Sequence, residues 1–182
     1  MKSSAISVLL ILCCFLSHGQ KFVSEKSSVT FFSDASVEDI KALNTKSNGN
    51  FNIDNGEIEF VIPVKEFKFS KSLMQKHFNE KYLETEKFPQ SDFKGEIRNY
   101  KTEISGKQDV RAVGKLTIHG VTKAVDIPGI MEVINGKIIL RTKFIVRLQD
   151  YSVTIPQLLY RNITEQVEVT FDVTFVSEKE KE

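Results

Sequence analysis

With 182 residues, of which 41% are hydrophobic, the chain is long enough for one domain with a sizeable core and too short for two. Its 25 basic and 24 acidic residues nearly cancel, and they balance once residues 1–19 are set aside, because Lys2 is the only charged residue there. This balance excludes an electrostatic case for nucleic-acid binding.

The first nineteen residues have the pattern of a secretory signal peptide. Lys2 precedes an apolar run over residues 5–16, and the small residues Ser17 and Gly19 occupy the −3 and −1 positions of a candidate cleavage site. The run is shorter than the roughly 20 residues of a spanning helix. We expect a signal peptide at 1–19 and a mature, soluble domain at 20–182, either periplasmic or secreted.

Both cysteines, Cys13 and Cys14, lie inside this signal, and neither follows the small residue typical of a lipoprotein cleavage box. Cleavage would leave a chain without disulfides, thiolate metal sites or a cysteine nucleophile. Stability is then expected to come from the core.

Two segments predict short helices. The first, SVEDIKALN, begins at Ser36 and has Asp39 three residues on, as in a capping box. The second, SLMQKHFNEKYL, follows Ser70.

The remaining segments indicate long strands. In KIILRTKFIVRL and ITEQVEVTFDVTF, apolar side chains alternate with polar ones at period two, which is typical of strands with one buried face. Tight turns are predicted between such runs at Asn55–Gly56, His119–Gly120 and Asn135–Gly136, because these pairs tolerate positive φ.

A strand of about 12 residues extends roughly 40 Å. Several such strands side by side expose an apolar face that two short helices are too small to cover. Closure into an antiparallel barrel solves this and removes the exposed edges, whereas a two-sheet sandwich would leave edges to protect. We therefore predict an all-β fold with short helices, closed into a barrel with an apolar interior.

Catalytic and metal-binding patterns are missing from the mature sequence. His77 and His119 are its only histidines, they stand far apart, and no HExxH or Gly-x-Ser-x-Gly motif is present. Alternation directs His119 outward at the end of its strand, where we interpret it as a turn residue whose ring bonds a neighbouring polar group. His77 is interpreted as an exposed helix residue. We expect no catalytic residue, no metal, no cofactor and no enzymatic activity.

The fourteen phenylalanines supply most of the large apolar volume, since the chain has no tryptophan and three methionines. They either fill the barrel or line a cavity within it. Period-two alternation shows which face of each strand these rings occupy, but it does not decide between a filled interior and a cavity.

Four ordered blocks carry a family resemblance: SSVTFF (27–32), HFNEKYLETEKFPQSDFKG (77–95), GKLTIHGVTK (114–123) and LQDYSVTIP (148–156). In letters, order and spacing they resemble the YceI-like family of extracytoplasmic, lipocalin-like barrels that bind polyisoprenoids or other long-chain lipids. One departure is Ser152, where members often have glycine. The resemblance implies about eight strands and no enzymatic role for His119.

We therefore predict binding or carriage of a long-chain apolar ligand, a polyisoprenoid or other lipid, inside the barrel. The alternative is a ligand-free envelope barrel that acts through protein–protein contacts or in stress tolerance. A homodimer also stays open, because dimer formation and closure both bury strand edges. The predicted ligand-binding wall residues are Phe31, Phe51, Phe60, Ile62, Leu116, Ile118, Leu140, Phe144, Val146, Phe171 and Phe175. The predicted polar contacts at the mouth are Arg147, Asp150 and Tyr151.

Overall fold

The computed structural model describes residues 20–34, 39–102, 106–154 and 165–180; the predicted signal peptide lies outside them. The described residues form ten strands: β1 (Lys21–Ser33), β2 (Ile40–Asn44), β3 (Asn48–Asn52), β4 (Glu57–Pro63), β5 (Lys68–Phe69), β6 (Gln90–Arg98), β7 (Gly106–Ile118), β8 (Val121–Ile134), β9 (Lys137–Arg147) and β10 (Gln166–Ser177).

All strand pairs are antiparallel, and the sheet closes on itself through β1 and β10. The order around the sheet is β10-β9-β8-β7-β6-β4-β3-β1, while β2 continues the line of β3 along β1 and β5 pairs with β2. Eight strand positions therefore surround one interior. The predicted antiparallel barrel and its strand number are confirmed.

Asn44 explains why β2 and β3 are two strands. Its side chain is fully buried and makes three hydrogen bonds: Nδ2 donates to the Pro63 carbonyl at 2.7 Å, and Oδ1 accepts from Lys46 N at 2.8 Å and Ser47 Oγ at 3.0 Å. These bonds hold the chain in a step between the two strands. A satisfied buried amide of this kind fixes local geometry strongly.

The predicted turns are present. His119 and Gly120 have φ of 51° and 74°, and Asn135 and Gly136 have φ of 51° and 75°, as two-residue hairpins require. The third turn is longer than a two-residue hairpin, since residues 53–56 separate β3 from β4, and Gly56 at φ 80° completes it.

One helix prediction is confirmed and the other is wrong within the described residues. Helix α1 (Ser72–His77) continues into a π-helical turn, Phe78–Tyr82. Around Ser36, by contrast, residues 35–38 lie outside the described residues and Ile40–Asn44 is strand β2. Ile40, Ala42 and Asn44 are all buried, and this period-two burial overrides the capping signal.

The two ends of the barrel differ. We call the end with the Asn55–Gly56 and Asn135–Gly136 turns the closed end, and the end with the His119–Gly120 turn and α1 the mouth end. At the closed end Phe51 lies 5.9 Å from the rings of both Tyr100 and Phe175, and the Tyr100 hydroxyl donates to the Ile53 carbonyl at 2.6 Å. This aromatic packing fills the closed end.

Candidate functional site

The mouth end encloses an apolar chamber of about 140 Å³, here called the mouth chamber. Strands supply its wall through residues such as Phe31, Ile62, Leu116, Ile118 and Val146. The connection between β4 and β6, which includes α1, covers it from above. Because this connection crosses the open end of the barrel, the chamber is a pocket under a helical cap.

The cap contributes a group of aromatic rings. Phe31 on β1 lies 5.4 Å from Phe67, 5.5 Å from Phe69 and 5.5 Å from Phe78, measured between ring centroids. Phe69 and Phe78 are 4.9 Å apart. Edge-to-face and stacked rings at these distances attract beyond their simple burial. The rings attach the cap to the barrel while leaving their outer surfaces to the chamber.

A second chamber of about 90 Å³, the mid-barrel chamber, lies deeper. Its wall includes Phe60, Leu140 and Phe171, and the Phe60 and Phe171 rings meet edge to face at 4.6 Å. Both chambers share one set of wall residues: Val29, Ile62, Leu116, Phe144 and Val169. These five side chains form the partition between the two spaces.

Among the described residues, no charged side chain lines the mouth chamber. The polar lining residues in the part of the chain that the structure describes are Ser33, Ser91, Tyr82 and Tyr151. Burial raises the pKa of Tyr82, and burial together with the nearby charge of Asp150 raises the pKa of Tyr151. Both phenols therefore stay neutral at ordinary pH, so the described lining residues offer hydroxyl groups to a ligand.

His119 contacts three other segments at the mouth end. Its Nδ1 lies 3.3 Å from the Tyr151 carbonyl oxygen, its Nε2 lies 3.2 Å from Glu84 Oε2, and its ring meets Phe88 edge to face at 4.4 Å. A carbonyl oxygen can only accept, so Nδ1–H donates to Tyr151. The ring bonds a backbone group and a polar neighbour as predicted, but its side chain is only 10% exposed, so the outward direction was wrong. The positive φ of the turn redirects it.

The predicted wall residues fall into three groups. Phe31, Ile118 and Val146 line the mouth chamber, Phe60, Leu140 and Phe171 line the mid-barrel chamber, and Ile62, Leu116 and Phe144 line both. Phe51 and Phe175 line neither chamber, and this corrects the prediction for them. They pack into the filled closed end, where each is at most 1% exposed.

Of the predicted mouth contacts, only Tyr151 lines a chamber. Arg147 and Asp150 are exposed and line neither. Arg147 has the outward parity of β9, and Asp150 lies in the 3-10 turn Leu148–Tyr151, which directs Tyr151 inward. The structure therefore places both at the mouth end but outside the walls of the chambers.

Period-two alternation did not predict the cap. Phe67, Phe69, Met74, Phe78 and Tyr82 all line the mouth chamber, although they lie outside the long strands. The available signal was the density of aromatic residues in a segment with helical spacing. That density shows apolar bulk, but only the fold shows that the segment crosses the barrel mouth.

Neither a metal site nor a membrane-spanning helix is found in the described ranges. Residues 20–34, 39–102, 106–154 and 165–180 contain no cluster of three or more His, Cys, Asp or Glu side chains that could hold a metal ion. None of the helices in those same ranges is long and apolar enough to cross a membrane.

A closed antiparallel barrel with an apolar interior and a helical cap is a lipocalin-like architecture. The YceI-like domain model matches residues 21–175, and the chain belongs to this family, as its four sequence blocks predicted. Ser152 fits the family pattern in conformation, because its φ of 56° is the left-handed geometry that glycine adopts easily. Comparison with curated proteins gave no match.

Solved structures share the fold. A polyisoprenoid binding domain from Saccharophagus degradans, implicated in plant cell wall breakdown, is 16% identical with a TM-score of 0.69, covering 86% of this chain and 98% of that one. BcnA of Burkholderia cenocepacia is 17% identical with a TM-score of 0.69, covering 81% and 95%. The Campylobacter jejuni YceI protein is 12% identical with a TM-score of 0.52, covering 96% and 89%.

Proposed function

We propose that the protein binds and carries a long-chain apolar ligand, a polyisoprenoid or another lipid, in the two chambers of its barrel. The observation that carries this proposal is the mouth chamber, a space of about 140 Å³ in which no lining side chain of the described residues is charged. Such walls suit methylene and isoprene groups, and the polyisoprenoid-binding neighbour from Saccharophagus degradans supports this ligand class.

The driving force would be the removal of the ligand chain from water. Each buried methylene contributes about 0.8 kcal/mol, so a chain that fills both chambers gains several kcal/mol before any polar contact forms. The hydroxyl groups of Ser33, Ser91, Tyr82 and Tyr151 are the polar atoms that could meet a head group. A neutral head group fits them better than an ionised one, since a charge without a partner is strongly disfavoured in an apolar pocket.

In this proposal the protein binds a ligand without catalysing a reaction, and it acts outside the cytoplasm. Its location is proposed from the signal-peptide pattern of residues 1–19. Determination of the N-terminal sequence of protein from its native source tests that part. A chain that begins at Gln20 supports export, and a chain that retains residues 1–19 contradicts it.

The central test is native mass spectrometry of protein purified from its own source, followed by organic extraction of anything released. A stoichiometric long-chain lipid supports the proposal and names the cargo. Bare protein that stays bare after incubation with isoprenoid alcohols and fatty alcohols contradicts it. The ligand-free alternative, action through protein partners or in stress tolerance, would then be pursued.

A pair of variants locates the bound lipid. Phe144 lies in the walls of both chambers, whereas its neighbour Ile145 faces outward and is 54% exposed. Phe144→Asp places a carboxylate in an apolar space and should remove copurifying lipid. Ile145→Asp makes the same chemical change on the outer surface and should retain it. Circular dichroism of both variants separates loss of lipid from loss of fold.

A further inference from the structure

The barrel wall is interrupted between β8 and β9. These strands pair only between residues 129–134 and 137–142, although β8 begins eight residues earlier and β9 continues to Arg147. In the unpaired section β8 pairs with β7 and β9 pairs with β10, but not with each other. We call this gap, between residues 121–128 and 143–147, the β8–β9 opening.

Pro128 accounts for the place where pairing stops. It occupies the first position of β8 beyond the paired section, and it has no N–H to donate to β9. Its carbonyl instead accepts a hydrogen bond from Thr142 Oγ1 at 2.6 Å. A proline is tolerated where a strand has a free edge, so the sequence itself ends the ladder at this point.

The mid-barrel chamber borders this opening, since Ile127 and Phe144 belong to its wall. Residues of this wall lie on both sides of the point where β8 and β9 stop pairing. They include Ile127, Gly129 and Ile130 from β8 and Arg141, Thr142 and Phe144 from β9. Ile130 is 40% exposed, and the Arg141 side chain is 43% exposed. Both lie on the outer face at the end of the paired section, so the chamber adjoins the outer surface where the β8–β9 pairing stops.

Exposed apolar side chains lie beside the opening. Ile130 and Ile145 are both exposed large apolar residues on this face. Two of the neighbouring cations are paired, since Arg141 binds Glu132 and Asp172 at 2.9 Å each and Lys143 binds Glu168 at 2.8 Å, while Lys123 and Arg147 are exposed at the edges of the opening. An apolar chain that enters here would meet isoleucine side chains.

We propose that the β8–β9 opening is a side entrance through which the apolar chain of the ligand enters and leaves the barrel. This inference rests on the proposed lipid-binding function. It assigns the helical cap over the mouth chamber to retention and the β8–β9 opening to exchange. The occupant of the opening is the hydrocarbon chain itself, because Ile127 and Phe144 flank the opening and also line the mid-barrel chamber.

A reversible cross-link tests the route. If the register of the paired section continued, Ala124 would lie opposite Arg147 across the opening, and both residues are exposed. We would introduce Ala124→Cys with Arg147→Cys, in a chain whose Cys13 and Cys14 are changed to serine, and join them with bis-methanethiosulfonate linkers of graded length. The matched control joins Lys115→Cys to Ala124→Cys, which are already paired within β7 and β8.

Uptake of all-trans-retinol, a fluorescent isoprenoid alcohol, is followed by stopped-flow fluorescence. The linked 124–147 protein should take up retinol about tenfold more slowly or worse, with the final bound amount unchanged, because a closed gate alters rates and not equilibrium. The 115–124 link should have no effect, and a reducing agent should restore the original rate. Pro128→Val, which supplies the missing N–H, should slow uptake without any linker.

Unchanged uptake rates in both the linked protein and Pro128→Val would overturn the side entrance and leave the mouth end as the route. Absence of retinol binding in the unlinked protein, together with absence of native lipid, would instead count against the proposed function. The two failures are thus distinguishable.

Discussion

Phe144→Ala tests whether the two chambers act as one ligand site. Phe144 is the cross-strand partner of Val169, and both side chains belong to the partition between the chambers. Removing the ring should join the 140 Å³ and 90 Å³ spaces into one longer cavity. The variant should therefore prefer a longer chain than the native protein does.

The magnitudes follow from the position of the ring. Phe→Ala substitutions in packed cores lower the free energy of unfolding by about 3–5 kcal/mol, and we expect about 3 because this ring already borders two voids and has fewer contacts to lose. If the vacated space admits about three methylenes at about 0.8 kcal/mol each, affinity for a correspondingly longer chain gains about 2.4 kcal/mol. That gain is roughly a fiftyfold lower Kd.

The assay is displacement of bound retinol by straight-chain primary alcohols of increasing length, with urea unfolding to measure stability. Ile145→Ala, on the outer face of the same strand, is the control and should leave the length preference unchanged. A folded Phe144→Ala protein with the native length optimum would show that the partition does not limit the ligand, and the reasoning would fail.

Two further predictions concern the mouth end. Gly120→Ala should lower the free energy of unfolding by about 2 kcal/mol in urea unfolding, because its φ is 74° and a Cβ would lie 2.6 Å from the Phe88 ring. Gly136→Ala is the control and should lower it less, because its φ is also positive, at 75°, but the space around it is open. Equal losses in the two variants would refute the contribution of the contact with Phe88. The second prediction concerns Glu84, whose carboxyl has a pKa held below its usual value by hydrogen bonds from Lys87 and then His119. The stabilisation that these bonds give is present above the pKa of the unfolded state and is lost as the pH falls through the pKa of the folded state. Glu84→Gln should therefore be less stable than the native protein at neutral pH and equal to it in acid, as measured by urea unfolding across pH; a constant difference would contradict this.

Period-two alternation predicted the faces of the strands because every second side chain enters the barrel. It could not separate Phe175, which packs at the closed end, from Phe144, which borders two voids, since both have the inward parity. That difference depends on which rings meet across the barrel, as Phe51 meets Phe175. Such contacts join residues far apart in sequence, so periodicity does not contain them.

Local conformation limited the prediction elsewhere. His119 has outward parity in β7, but the left-handed turn at φ 51° brings its ring against Phe88 and the Tyr151 carbonyl. Pro128 was readable as a residue that cannot donate to a neighbouring strand. Its consequence, an opening beside the mid-barrel chamber, required the register of β8 and β9.

Packing is densest toward the closed end of the barrel. Within the described residues, the apolar side chains larger than alanine that are at most 1% exposed all lie toward the closed end: Phe51, Met131, Ile138, Val173 and Phe175. The larger void lies toward the mouth, while the mid-barrel chamber extends to Ile58 and Leu140 beside these packed residues. An unfilled 140 Å³ cavity corresponds to about 3 kcal/mol of lost stabilisation at about 24 cal/mol per Å³.

A well-packed closed end lets the fold tolerate that loss, and a bound chain would offset it. Removal of lipid by organic extraction should therefore lower the Tm of the refolded protein, and adding retinol back should raise it in proportion to its concentration over Kd. Phe144→Asp should show no such rise while Ile145→Asp should, because only the first change lies in the cavity wall. A Tm that is indifferent to lipid in the native protein would mean that the voids are not the place where the ligand binds.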